Sequence, residues 1–134
     1  MAGDGPTESL RSLYLEAART DVANLERLIL AVAEGRPGGR VALADMRRVT
    51  HDIMGQGAAF GYPLMTRVGR SLSRLLKSCE ALDEACLDLA RDHVVLLRAA
   101  LEAPGGGLSA GKGARRAARL EQRVKSLTVG TSCL

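Results

Sequence analysis

The sequence predicts an all-α protein, an up-and-down antiparallel four-helix bundle followed by a basic C-terminal tail. Three observations carry this. Leu, Ala and Arg are abundant, β-branched residues are sparse and only Tyr14, Phe60 and Tyr62 are aromatic, a balance that favours helices packed on helices. Apolar residues recur at helical spacing in four successive segments. The segments are joined by short connections, which make consecutive helices antiparallel neighbours.

The first segment runs from about Glu8 to Glu34, with Leu10, Leu13, Ala17, Leu25, Leu28, Ile29 and Val32 as its apolar stripe. The stripe slips near Thr20 and Asp21, which allows a break or kink there. Gly35 and the run Pro37, Gly38, Gly39 end it. The second spans about Val41 to Phe60, with Leu43, Met46, Val49 or Thr50, Ile53, Gly57 and Phe60 on one face. Gly61 suits the residue just past a helix end. Tyr62, before a proline, is expected to be extended, and Pro63 suits the first turn of the next helix. That third helix places Leu64, Val68, Leu72, Leu75, Leu76 and Cys79 on one side. A corner at Ala81 and Leu82 follows, with Asp83 as N-cap of a fourth helix carrying Leu87, Ala90, Val94, Leu97 and Leu101.

Residues 1–103 make up the expected bundle. Residues 104–134 are read as a Gly-rich linker, Pro104 to Gly107, and a basic tail. Leu120, Val124 and Leu127 can line a short amphipathic helix, and the composition suits a mobile tail equally well. The net charge of +4 belongs to this tail. Residues 1–103 hold 13 Lys/Arg against 14 Asp/Glu, whereas residues 104–134 hold six basic residues against Glu121 alone. The tail lacks aromatic side chains for stacking on bases, so no nucleic-acid partner is expected. No apolar run approaches the roughly 20 residues that span a bilayer, so no stable membrane insertion is expected either. The N-terminus lacks a charged region followed by an apolar one, and three cysteines without framework spacing suit free thiols; together they point to the cytoplasm.

Chemistry concentrates in the run from Arg47 to Gly61. It puts two glycines, Gly55 and Gly57, inside a predicted helix, where each costs about 1 kcal/mol relative to alanine. Such a cost usually serves close approach by a neighbouring helix or by a docked protein. Helical geometry separates the two. His51 stands two residues, ~200°, from the core residue Ile53 and so points to solvent. Gly55, at i+4, shares its face, and Ala58, at i+7, continues it. Gly55 leaves the imidazole uncrowded, while Gly57 lies on the stripe facing the core. An imidazole is mostly neutral near pH 7, so an exposed one is a nucleophile that needs no base beside it.

The run His51, Asp52, Ile53, Met54, Gly55, Gln56, Gly57, Ala58, Ala59, Phe60, Gly61 resembles the signature of histidine-phosphotransfer (HPt) domains: histidine, any residue, Leu or Ile, Lys, Gly, then a small residue, an apolar one and glycine. The motif covers about eleven residues, and the expected architecture extends the likeness over roughly residues 8–102. The resemblance implies a phosphocarrier, neither kinase nor hydrolase, that accepts a phosphoryl group on His51 from an aspartyl-phosphate receiver domain and relays it in a two-component phosphorelay. Gly55 gives access, and Ile53, Gly57 and Phe60 anchor the helix to the core. The implied partners are a response-regulator receiver and a hybrid histidine kinase. Mg²⁺ comes from the receiver, so this chain needs no cofactor of its own. Phosphoryl transfer is mostly positioning and charge stabilisation, which suits that division of labour.

One position departs from the pattern: the lysine usual three residues after the histidine is Met54. Arg47 and Arg48 flank the same face and can supply the missing charge, together with docking residues Met54, Gly55 and Ala58; Arg67 and Arg70 are further candidates. The departure keeps an alternative open, an HPt-like module that sequesters a receiver or kinase without accepting phosphate. His93 has no comparable setting and reads as structural. Cys79, Cys86 and His93 recur every seven residues, but positions ~10.5 Å apart along a helix cannot share an ion, so no metal site is expected. The bundle is read as a monomer, with helix pairing between chains as the alternative.

Overall fold

The computed structural model describes residues 6–36, 38–79, 82–102 and 110–132. Among the described residues the structure is all-helical, with five helices: α1 (Pro6–Ala33), α2 (Gly39–Gln56), α3 (Pro63–Ser78), α4 (Glu84–Glu102) and α5 (Ala110–Ser132), plus a 3₁₀ turn at Ala58–Phe60. The expected linker at Pro104 to Gly107, Pro37 and the Ala81 half of the corner lie outside the described residues.

The helices begin and end where local chemistry dictates. Gly35, at φ 74°, stops α1, and the Arg36 N–H donates to the Ala31 carbonyl. Gly61, at φ 89°, closes the 3₁₀ turn with its N–H on the Ala58 carbonyl. Tyr62 stands at φ −123° and ψ 62°, outside the helical region though less extended than most residues before a proline, and Pro63 opens α3. The Asp83 carboxylate accepts from the Cys86 N–H at 2.8 Å and caps α4.

Two expectations are corrected, and the choice left open for the tail is decided in favour of a helix. The α1 stripe is Tyr14, Ala18, Val22, Leu25 and Ile29, all buried, whereas Leu10 and Leu13 are 52 % and 61 % exposed and Ala17 faces solvent. Steps of four, four, three and four residues follow the helical period without a slip, so α1 continues through Thr20 and Asp21. α2 ends at Gln56, with the last turn up to Phe60 tightening to 3₁₀. The basic tail is a 23-residue helix with Ala117, Leu120 and Val124 in the same buried cluster as the other four.

α1 packs on α2 and α4, α2 on α3, and α3 on α4, while α5 lies against α3 and α4. The α1–α2 side is therefore opposite α5. This explains why α4 is buried on two faces. Ala90, Val94, Leu97 and Leu101 line one stripe, and Leu89, His93, Leu96 and Ala100 line a second. Arginine forks tie the layers: Arg98 holds Glu26 of α1 at 2.7 and 2.6 Å, and Arg67 of α3 holds Glu121 of α5 at 2.9 and 2.8 Å. These bonds hold both carboxyls below the usual glutamate range.

Candidate functional site around His51

His51 sits on the exposed face of α2, one residue past the buried Thr50 and two before the buried Ile53. A groove of about 660 Å³ opens beside it, between α2 and the N-terminal half of α1. Leu10, Leu13 and Ala17 form its α1 wall, with Gly55 and Phe60 across from them and the acids Asp21 and Asp52 along its length. The aromatic residues hold the walls together. Phe60 stacks on Tyr14 with ring centres 5.2 Å apart and planes at 14°, and Tyr62 lies 5.7 Å from the same ring. The Arg11 Nε–H donates to the Phe60 carbonyl at 3.2 Å. Burial, with Tyr62 and Asp21 nearby, pushes the Tyr14 phenol up to about 12.

The two glycines of the motif meet different surroundings. A Cβ built on Gly55 would touch nothing within 4 Å. One built on Gly57 would come to 2.8 Å from the Thr66 hydroxyl, 2.9 Å from the Tyr62 carbonyl oxygen and 3.0 Å from the Met65 Cβ. Gly57 is thus where the end of α2 closes on the start of α3, and Gly55 leaves the surface next to His51 bare. Thr66 completes the closure, accepting from the Ala58 N–H at 3.0 Å and donating to the Met54 carbonyl at 3.2 Å.

The basic residues near the motif divide by side. Arg47 turns toward α3, where its guanidinium donates to the Leu76 carbonyl at 3.0 and 2.8 Å and to the Cys79 carbonyl at 3.0 Å. It satisfies the free carbonyls at the α3 C-terminus and favours that helix dipole. Arg67 is engaged by Glu121 on the far side of α3. Arg48 turns the other way and meets Asp45 only at 4.0 Å. Arg70 is exposed and carries no ion pair among the described residues. The Asp21 carboxyl is raised by partial burial and by the Asp52 charge, with Arg48 opposing. The groove therefore combines apolar walls, two carboxylates and the nearby Arg48 around an open imidazole, with Arg11 held on the Phe60 carbonyl at its edge.

Met54 is half-buried at the α2–α3 seam, and Ala58 is exposed in the 3₁₀ turn. Ile53 is buried, and Phe60 packs half-buried against the core. The wall residues Leu10, Leu13 and Ala17 are read from the sequence as core, while Thr66 and Gly69, which packs against Met54, carry no sequence signal. Tyr14, one position from the expected stripe, was the one available signal for the wall.

His93 is fully buried between α3 and α4. Its Nδ1–H donates to the Leu89 carbonyl at 2.7 Å, which leaves Nε2 to accept from the Ser71 hydroxyl at 2.8 Å. Burial lowers its pKa and keeps it neutral. Cys79 and Cys86 are buried free thiols, and burial together with the Cys79 thiol raises the Cys86 pKa.

No family model, no curated protein and no solved structure matches this chain. Among the described residues, no helix is long and apolar enough to cross a membrane.

Proposed function

We propose that this chain is an HPt-type phosphocarrier in which α1–α4 form the up-and-down four-helix bundle and His51 accepts a phosphoryl group from a receiver domain. The observation that carries the reading is the pairing of an exposed imidazole with open space over Gly55, one turn away on the same helix face. A ring nitrogen lone pair forms the N–P bond as the bond from phosphorus to the receiver's aspartyl oxygen breaks, releasing the receiver carboxylate. The ring carries the resulting positive charge until it loses the proton on its other nitrogen. The in-line approach this needs is available only where the second protein can come close to the helix. Mg²⁺ and the acidic pocket belong to the receiver in this scheme, and Arg48 is the motif arginine left on the groove side to face the phosphoryl oxygens. The groove walls Leu10 and Leu13 supply apolar surface for docking.

A second reading rests on Met54. With methionine at the position of the usual lysine and Arg47 engaged by α3 carbonyls, the same face can bind a receiver or kinase without accepting phosphate.

One experiment separates the two. The protein is incubated with a phosphorylated receiver and Mg²⁺, and acid-labile, base-stable phosphate is assayed beside receiver binding. Label on the wild type and none on His51→Gln, at equal helicity, supports the phosphocarrier. Binding without label on either protein supports the silent module. Full label on His51→Gln sinks the assignment of His51.

A further inference from the structure

We infer that the α4–α5 face is a second docking surface, for an acidic amphipathic helix of a partner protein. The inference is independent of the His51 reading, since this face lies on the side of the molecule opposite the α1–α2 groove.

Two adjoining clefts run along the α4–α5 seam, of about 190 and 630 Å³, and both are lined by Arg119 and Arg123. Together they make a trough from Arg116 to Leu127, twelve residues of α5 or ~16 Å. Its floor is apolar: Val95 and Leu96 at one end, Leu89 and Leu127 at the other. Val95 is 53 % exposed, a large apolar side chain left bare among arginines.

The rim is positive beyond what the fold consumes. Arg123 is engaged by Asp92 at 2.6 Å, and Arg91 by Asp88 at 3.2 Å, so both α4 acids near the trough are neutralised. Lys112, Arg115, Arg116 and Arg119 are exposed and carry no ion pair among the described residues. Of these, Arg116 and Arg119 line the trough, and Lys112 and Arg115 continue the same face of α5 beyond its end.

An apolar floor with a row of unpaired cations fits a helix whose one face is aliphatic and whose flanks carry Asp and Glu. A phosphate backbone has nothing to bury on Val95 or Leu89. The three aromatic side chains that could stack on bases are held at the Tyr14, Phe60 and Tyr62 corner, remote from α5. A flat anionic bilayer does not enter a trough between two helices. Charge complementarity and shape together select the acidic helix.

The test uses the full chain and a fluorescent peptide of about 18 residues, built from Leu, Ala and Glu so that one helical face is aliphatic. Anisotropy is read at low and moderate salt, beside a short DNA duplex and vesicles containing phosphatidylglycerol. The expected result is saturable peptide binding that weakens with salt. The double variant Arg116→Glu/Arg119→Glu should weaken it about tenfold or more, and Val95→Ser several-fold. Arg27→Glu, on the exposed side of α1, should leave it unchanged. Both arginines are solvent-exposed, and helicity and melting of each variant are recorded to show that it folds. Absence of peptide binding overturns the proposal, as does binding indifferent to Arg116 and Arg119. Tighter binding of the duplex or the vesicles through the same arginines also overturns it, in favour of a phosphate-bearing partner.

Discussion

Met54 and Gly69 meet across the α2–α3 seam so closely that a Cβ on Gly69 would stand 2.9 Å from the Met54 Cβ and 3.4 Å from its Cα. The position three residues after His51 therefore starts at a helix–helix contact and is half-buried there. A side chain at this position runs along the seam before it reaches solvent, and a lysine stem can cover that apolar path while its ammonium emerges.

Met54→Lys should therefore fold with a stability change within about 1 kcal/mol. It should accept phosphate from a phosphorylated receiver several-fold faster than the wild type, because a cation beside the phosphoryl oxygens stabilises the charge in transit. Single-turnover transfer rates check this, and an unchanged rate removes Met54 from the account of the site.

The two motif glycines should respond to alanine with opposite signs. Gly55→Ala meets open space in the last turn of α2 and should stabilise by up to about 1 kcal/mol. Gly57→Ala drives a methyl against the Tyr62 carbonyl and the Met65 Cβ and should destabilise by about 1–3 kcal/mol. Urea midpoints at constant slope measure both. Stabilisation by both would mean that the α2–α3 closure yields more easily than these distances imply, and destabilisation by both would mean that the surface over Gly55 is not open.

Leu120→Ala reports whether α5 belongs to the core. Leu120 is buried with Ala117 and Val124 against α3 and α4, so its truncation should cost about 2–3 kcal/mol in one cooperative transition. A loss near zero would show α5 detached in solution. The Arg67–Glu121 pair adds less, about 0.5–1 kcal/mol in a double-mutant cycle, since both side chains are about two-fifths exposed.

His93 should make stability fall with acid. Its folded pKa is below the ordinary 6.5, so as pH drops through 6.5 the unfolded chain takes up a proton before the native one does. The contribution of neutral His93 is complete above that value and is lost as pH falls toward the folded pKa. Between pH 7.5 and 5 the urea midpoint of the wild type should drop more than that of His93→Gln. Equal drops would assign the acid sensitivity to other groups.

The helix class, most helix ends and the exposure of His51 were legible in the sequence because each depends on local chemistry; the exception is α2, which gives way to a 3₁₀ turn after Gln56. Period alone places His51 opposite Ile53, and Gly35, Gly61, Pro63 and Asp83 act within a turn of themselves. What lies beside the histidine was not legible. Leu13 and Tyr14 are both apolar and adjacent, and only the Phe60 and Tyr62 rings in the folded chain decide that Tyr14 turns inward and Leu13 is left on the groove. Arg47 and Arg48 are likewise interchangeable on paper. The carbonyls freed at the end of α3 draw Arg47 away, and that end is 29 residues distant in sequence. The fifth helix had a trace in the second apolar stripe of α4, Leu89, His93 and Leu96, but a stripe does not name the element that covers it. Periodicity within a segment settled that it is a helix with an apolar face; contacts between segments, which have no period, settled where that face is centred in α1 and what each face meets.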